Sequence, residues 1–490
     1  MKFKLDHPRG LYVLFFSEMW ERFSFYGMRA LLVLYMTKEL FYGDARAYGV
    51  YGAYGALVYA APVLGGFLAD RFLGYRKAII LGGVLMSLGH FLMAAPAEIF
   101  FYTALALICL GNGFFKPNIS SIVGKLYKEG DNRRDAGFTI FYMGINVGAF
   151  MAPLVCGLIG ETFGWHYGFG LAGVGMLLGL IVFVRGGKYL EGHGLPPDPA
   201  LLRKPWFGGL KAIHGLYIGC ALLIPVLAFG LNQNSYVGGV LYTVGIVIAI
   251  FLLYTAFTSD KVTRDRLLVV MVLMFFHTLF FAFFEQAGSS LTLFADRNVD
   301  RDIFGWVMPA SVTQMINPFF IILLAPMFAK LWLDLQSRGR QPSIPFKFVL
   351  GLLQVGLGFG ALVYGAMMAQ QSGVVAFVWL ALAYLLHTTG ELCLSPVGLS
   401  AVTKLSPPQA VGTVMGAWFL TISFGHHMGG WIAKLTKAPS DVEATMAFSL
   451  AESLKTYSTV FLDIFWVALA ASVLLLLLTP LLKRWMHGVE

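Results

Sequence analysis

Charge is what this sequence has little of: of its 490 residues only 12% are Asp, Glu, Lys or Arg, where a soluble domain carries about 25%. So small a supply cannot clothe a water-facing surface, and 58% of the chain is apolar. Cysteine is also scarce. Cys109, Cys156, Cys220 and Cys393 all fall inside apolar segments with no CxxC spacing, so they read as packing residues rather than a metal or redox centre. There is no Walker loop, no HExxH and no plausible Ser-His-Asp grouping, which leaves ATP-driven transport and hydrolysis without support. Neither a cofactor nor a bound metal is expected. The formal charge of +9 does not point to nucleic acid, because the basic residues lie in short loops between apolar runs, where they orient helices rather than grip phosphate.

What the chain has instead is a succession of apolar runs of about twenty residues or more, each able to cross a hydrocarbon core of roughly 30 Å as a helix. The N-terminus, with Lys2, Lys4 and Arg9, has the outline of a signal peptide. The stretch after it is too long, carries Glu18, Glu21 and Arg22, and lacks a small-residue cleavage site, so it is read as the first transmembrane helix. The pattern predicts an all-α polytopic membrane protein with fourteen helices, near 11–36, 46–72, 78–96, 98–124, 136–160, 167–184, 208–231, 237–257, 267–294, 303–332, 346–369, 374–403, 411–434 and 456–482. Loop lysines and arginines number 24 on the side of the N-terminus and 7 on the other, which predicts both termini cytoplasmic and an even helix count. The segments 208–231 and 237–257 carry almost no polar residue besides Lys211 and His214. The expected plan is a six-helix bundle over 1–184, a cytoplasmic loop with an inserted two-helix hairpin over 185–266, and a second six-helix bundle over 267–490.

The informative residues are the ionisable ones at membrane depth. At 100° per residue Glu18, Glu21, Arg22, Phe25, Tyr26 and Arg29 fall on one face of the first helix, over a rise of about 16 Å. Facing lipid, each charge would cost about 2.5–3.5 kcal/mol, so this face is expected to look into a polar interior. Lys116 lies in the fourth helix, Glu285 in the ninth and Glu391 in the twelfth, joined by Asn146, Gln314 and Asn317. Pro117, Pro318 and Pro396 lie close by, where bent helices free backbone groups to line a cavity. Four acids against three bases leave one carboxylate in excess, so one acid is free to carry a proton. A single intramembrane ion pair can simply join two helices; seven charges over four helices point to function. His90, His277, His387, His426 and His427 have no carboxylate at helical spacing and read mostly as packing or hydrogen-bonded residues, with a proton relay as the other reading. Aromatic residues, 15% of the chain, suit interfacial belts and packing first and a ligand pocket second.

Several of these runs carry family signatures. Glu18-x-x-Glu21-Arg22-Phe23-x-Phe25-Tyr26-Gly27 resembles the ExxERFxYYG motif of the proton-dependent oligopeptide transporter family, in the major facilitator superfamily. Gly65 to Lys77, with Asp70-Arg71, resembles the second-helix signature and the superfamily's conformational loop GxxxDRxxGxRK. Phe141-Tyr142-Met143-Gly144-Ile145-Asn146-Val147-Gly148 resembles the fifth-helix signature, and similarities at Glu285-Gln286, Asn317-Pro318, Gly390 to Pro396 and Trp418 extend over nearly the whole chain.

The resemblance implies a major facilitator fold, twelve core helices with a two-helix insertion, and proton-driven uptake of di- and tripeptides through the inner membrane by a functional monomer. It also implies roles. Arg22 and Lys116, with Arg29 in the same cationic set, would hold the peptide carboxylate; Glu391, Asn146 and Asn317 would hold the amino group. A short peptide is a zwitterion, so the two poles suit it. Tyr26, Phe25, Tyr59, Phe281, Trp418 and Ser395 would line a side-chain pocket. Glu18, Glu21 and Glu285 would couple to protons, Glu285 partnering Arg29 or taking a proton itself. Pairs such as Lys116 with Glu391, forming in one state and breaking in the other, would bias the carrier's two conformations. Two departures stand out: Phe25 replaces the first tyrosine of YYG, and Gly52 occupies the place of a second-helix histidine found in mammalian members. A carrier of nitrate or another organic anion is the competing reading, and Glu391 argues against it. An ion channel would need a continuous polar stripe, and a membrane enzyme a catalytic grouping.

Overall fold

The structure is a computed structural model that describes residues 7–95, 98–128, 131, 133–205, 209–408, 410–437 and 449–489. Lys2 and Lys4, counted above in the charge asymmetry, lie outside the described residues. Among the described residues fourteen helices have nineteen residues or more. They are α1 (Arg9–Lys38), α2 (Asp44–Leu68), α3 (Gly74–Met93), α4 (Glu98–Lys125), α5 (Arg134–Ala152), α6 (Trp165–Gly186) and α7 (Ala212–Asn232). The chain continues with α8 (Asn234–Thr258), α9 (Lys261–Phe284), α10 (Ile316–Ser337), α11 (Ile344–Met368), α12 (Phe377–Leu405), α13 (Val411–Ala433) and α14 (Leu450–Trp485). Ten stretches of the described residues are long and apolar enough to span a membrane, one of them holding both α2 and α3. The charges at Glu18, Glu21, Arg22 and Arg29 lower the hydropathy of α1, which is helical all the same.

The helices start and stop where their end residues dictate. At the start of α9 the Asp260 carboxylate accepts from the backbone N–H of Val262 at 3.0 Å and of Thr263 at 3.2 Å. At the start of α14 Ser449 and Glu452 exchange side-chain and backbone bonds as a capping box. Between α2 and α3 the chain makes a wider π turn, Ala69–Leu73, closed by Gly74 at φ 70°. A second π turn, Pro153–Gly157, follows α5 where Pro153 lacks its N–H.

Two expectations need correction. The continuous helix expected over 267–294 is broken: α9 ends at Phe284, a 3₁₀ turn covers Glu285–Gly288, and a short helix resumes over Ser290–Asn298. The Gln286 side chain substitutes for the interrupted ladder, with Nε2 donating to the Ala282 and Gly429 carbonyls and Oε1 accepting from Ser290 Oγ. The helix expected over 303–332 begins later. Asp302–Ile303 and Trp306–Val307 form a tiny antiparallel hairpin around Phe304 and Gly305, both at positive φ, and a 3₁₀ segment Ala310–Met315 precedes α10. Gln314 therefore lies in the 3₁₀ segment and Asn317 in the first turn of α10, rather than mid-helix.

The helices gather into two compact units, one of Met1–Leu32 with Leu57–Gln233 and the other of Val33–Ala56 with Asn234–Glu490. In the first, α2 and α4 touch backbone to backbone at Gly65 and Gly113. There α7 packs through Cys220 on a core of Ala69, Leu73, Ala78, Leu110 and Phe114. In the second, α8 packs on α13, with Tyr242 edge-on to His427 at 5.4 Å between ring centroids.

Candidate functional site

In the first unit the predicted charged face of α1 is a closed cluster. The Arg22 guanidinium donates to both oxygens of Glu21, from Nη2 at 2.6 Å and from Nε, and the same Nε stands 3.3 Å from Glu18 Oε1. All three side chains are 2% exposed or less. Leaving such charges unpaired would cost several kcal/mol each, which is why the helix turns this face inward. Asn112 of α4 donates to Glu21 Oε1 at 3.1 Å. That residue escaped the sequence reading, although it lies one helical turn before Lys116 and so shares its face. Lys116 is half-buried, with Nζ 4.5 Å from the centre of the Tyr59 ring. Arg29 lies over Tyr26 at 5.7 Å and Arg22 over Phe25 at 5.1 Å.

The cluster can act as an exchange. Arg22 has five donors in a fixed fork, and two carboxylates now hold it. An incoming carboxylate competes with Glu21 and Glu18 for the same nitrogens, and a proton on either acid weakens that acid's claim. Asn146, expected near the amine pole, is in this first unit and donates to the Tyr142 carbonyl at 3.0 Å within α5.

In the second unit Asn317, at the start of α10, donates to Glu391 Oε2 at 3.2 Å and to Thr388 Oγ1 at 3.0 Å. Thr388 was also missed; its spacing of three residues from Glu391 puts both on one face of α12. Ser395 sits half-buried one turn further on. Glu285 lies at the break after α9, and its Oε1 is 3.5 Å from His426 Nε2 of α13. Trp418 is buried at 2% exposure against the His277 ring, 4.1 Å between centroids, and Phe281 packs on the same ring at 4.7 Å. His277 Nδ1 bonds to Thr421 Oγ1 at 2.6 Å. Asp70 and Arg71 are exposed on the π turn, Arg71 over the Phe67 ring at 5.7 Å. The next turn is pinned to the loop after α6, where Arg76 donates to the His193 carbonyl at 2.6 Å.

The comparisons with known proteins agree with this architecture. The sequence model of the PTR2, or POT, family matches residues 76–449. The chain is 39% identical to the transporter YclF of Bacillus subtilis, covering 99% of this chain and 96% of that one. It is 38% identical to the peptide transporter YePEPT of Yersinia enterocolitica, with the same coverage of 99% and 96%. With the dipeptide and tripeptide permease B of Salmonella typhimurium it shares 32% identity over 99% of this chain and 97% of that one. Among solved structures, a crystal structure of a peptide transporter POT in complex with sulfate superposes with a TM-score of 0.83 at 39% identity, covering 99% and 97% of the two chains. These matches run nearly end to end and join a helical membrane fold to buried charges. The chain is therefore a membrane transporter and not an enzyme, and it belongs to the POT family.

Proposed function

We propose that the chain carries di- and tripeptides into the cell together with protons, by alternating access. It works as a functional monomer in the inner membrane with both termini cytoplasmic, built as bundles 1–184 and 267–490 with the insertion 185–266. The observation that carries this reading is a pair of opposite poles at membrane depth: Arg22 and Lys116 in one cluster, Glu391 held by Asn317 in another. A zwitterion uses both; a simple anion has no use for the second. Relatives described as dipeptide and tripeptide permeases support the substrate class, as does a POT family transporter solved with 5-aminolevulinic acid, a compound with an amine and an acid.

In this reading Arg22 and Lys116 take the peptide carboxylate, with Arg29 in the same set, while Glu391, Asn317 and Asn146 take the amino group. Tyr26, Phe25, Tyr59, Phe281, Trp418 and Ser395 shape the side-chain pocket, and the Asp70-Arg71 turn accompanies the conformational change. Because Glu21 and Glu18 hold Arg22, a proton on either acid favours transfer of the guanidinium to the peptide. Peptide and proton then bind with positive coupling, each raising the other's affinity by the same factor. Glu285 is the third coupling acid.

Uptake of labelled dialanine into proteoliposomes tests this. Accumulation under an inward proton gradient, abolished by a protonophore and competed by unlabelled dipeptides, is expected. Absence of both uptake and competition would overturn the peptide assignment. A Glu21→Gln variant that still concentrates peptide would overturn the coupling role of Glu21.

A further inference from the structure

One buried histidine faces a coupling acid in a site shaped to receive it, and we propose that His426 shares the coupling proton with Glu285. The proton leaves the Glu285 carboxyl for His426 Nε2, giving a carboxylate–imidazolium pair, and returns along the same line; no other bond forms or breaks. This inference rests on the coupling role of Glu285 proposed above.

The geometry comes from within the second unit. Nε2 and Oε1 stand 3.5 Å apart with both side chains at 4% exposure or less, so a closure of about 0.5 Å makes a hydrogen bond. The ring has its place because α2 supplies no side chain there. A Cβ on Gly55 would lie 2.4 Å from His426 Nδ1, and one on Gly52 would lie 3.0 Å from the Cα of Gly430. On the opposite side α13 is tied to α9: Gln286, the neighbour of Glu285, donates to the Gly429 carbonyl at 2.9 Å. A Cβ on Gly425 would meet Phe281 at 2.6 Å. Close backbone contacts on both flanks therefore fix the imidazole against the acid. His277 shows what a packing histidine of the same helix pair looks like: a short bond to a threonine hydroxyl and a face against Trp418.

Titratable groups lie on each element packed here. At the end of α9 and on the turn after it they are His277 and Glu285, while Lys261, Arg264, Asp265 and Arg266 stand in the first two turns, at the far end of α9. From α2 come Tyr48, Tyr51, Tyr54 and, at its start, Asp44, which pairs with Arg297. From α8 there is Tyr242, against His427 of α13 itself. A tyrosine hydroxyl ordinarily ionises only near pH 10, and the Asp44 charge is matched by that of Arg297.

The test uses the full chain in proteoliposomes with labelled dialanine. Counterflow without a proton gradient is read beside gradient-driven accumulation over roughly pH 5–8, the range in which imidazole titrates. His426→Gln keeps the size and a hydrogen-bonding amide but takes no proton. It is expected to retain counterflow within about twofold, lose accumulation by about tenfold or more, and flatten its pH profile. His426→Asn, smaller and equally unable to take a proton, is expected to behave alike and stands in should the glutamine variant fail to fold. Wild-type accumulation with an unchanged pH profile in either variant would overturn the proposal. Glu285→Gln separates the two readings. Should it still concentrate peptide, the coupling role of Glu285 falls and the proton sharing with it. Should it lose accumulation while His426→Gln does not, the proton sharing alone falls.

Discussion

The carboxylate of Asp44, at the start of α2, accepts from both terminal nitrogens of Arg297 at 2.7 Å each. Tyr457 of α14 stands 3.4 Å from Arg297 Nη1 and 3.4 Å from the Tyr48 hydroxyl, which in turn is 3.4 Å from Thr436 Oγ1. The network fastens the first turns of α2 to the short helix after Glu285, to α14 and to the segment after α13. All of these lie in the unit that includes Val33–Ala56. Asp44→Ala strands the Arg297 charge and is expected to cost about 1–3 kcal/mol, below the range for a fully buried pair because the Arg297 side chain is 29% exposed. The pair of Lys38 and Asp296, with Lys38 at 42% exposure, is expected to contribute about 0–1 kcal/mol. Thermal midpoints in detergent measure both. Asp44→Ala/Arg297→Ala should be less destabilised than the sum of its single variants, and strict additivity would show that the pair is not coupled.

Arg22 is held by two acids at once, its planar fork meeting both oxygens of Glu21 in parallel while Nε also faces Glu18. Lys in its place offers a single ammonium that cannot bridge both oxygens of Glu21 while reaching Glu18. Arg22→Lys should fold yet lose about tenfold or more in peptide uptake, from a weaker hold on the peptide carboxylate. Competition assays check this: the preference for a free dipeptide over its C-terminal amide should shrink by the same factor. An unchanged preference would remove Arg22 from the carboxylate pole.

How far the sequence carries depends on the range of the interaction. The cluster of Glu18, Glu21 and Arg22 was legible because it is written on one helix at spacings of three and four, and hydrocarbon forces such a face inward. Asn112 obeys the same rule one turn from Lys116 and was overlooked, not hidden. The pairing of His426 with Glu285 leaves no local trace, since the partners lie on separate helices and only packing brings them together. The break at Glu285–Gly288 was misread although Glu285, Gln286, Gly288, Ser289 and Ser290 interrupt the apolar run 267–294 just there, because over four residues a 3₁₀ period of 3.0 does not separate from 3.6. The Phe304–Gly305 hairpin was missed because its flanking residues read as the start of a helix rather than as two-residue strands.

Gly65 and Gly113 set how near α2 and α4 come. A Cβ on Gly65 would lie 2.0 Å from the Gly113 carbonyl oxygen and 2.4 Å from its carbon, so the obstacle is backbone and cannot turn aside. Gly65→Ala must part the helices and is expected to lose at least about 1–3 kcal/mol of stability. Gly66→Ala is the control: its new Cβ would meet nothing nearer than Pro117 at 3.8 Å, and a change within about 0.5 kcal/mol is expected. Gel filtration of detergent extracts and thermal midpoints distinguish them, and equal behaviour of the two variants would refute the close contact.

Outside the membrane-spanning helices, Asp131 accepts from Arg133 Nη2 at 2.8 Å, from its Nε at 3.1 Å and from its backbone N–H at 2.9 Å. Those bonds hold the carboxyl down at about 2, against an ordinary value of 3.8. A lowered carboxyl contributes fully above its unfolded value and is lost only as pH falls through its folded one, so this clasp is constant above roughly pH 5. The stability difference between wild type and Asp131→Asn should therefore be flat from about pH 5 to 8, narrowing only in acid. Any pH dependence of transport in that window then has its source elsewhere. A difference that changed with pH across the window would show that Asp131 titrates within it.

Asn317 and Thr388 orient the anionic pole. The Asn317 amide reaches Glu391 at 3.2 Å while Thr388 Oγ1 accepts from the same nitrogen at 3.0 Å and donates to the Tyr384 carbonyl at 2.7 Å. Thr388 thus fixes the Asn317 side chain from behind. Thr388→Val keeps the shape and removes the acceptor, which loses about 1 kcal/mol of hydrogen bonding, or roughly fivefold in affinity. If Glu391 receives the peptide amino group, the loss should appear in KM for free dipeptides with kcat little changed. N-acetylated dipeptides, which present no ammonium, should bind wild type and variant alike. An equal loss for both classes would mean that Thr388 supports the fold of α12 rather than the orientation of the amine pole.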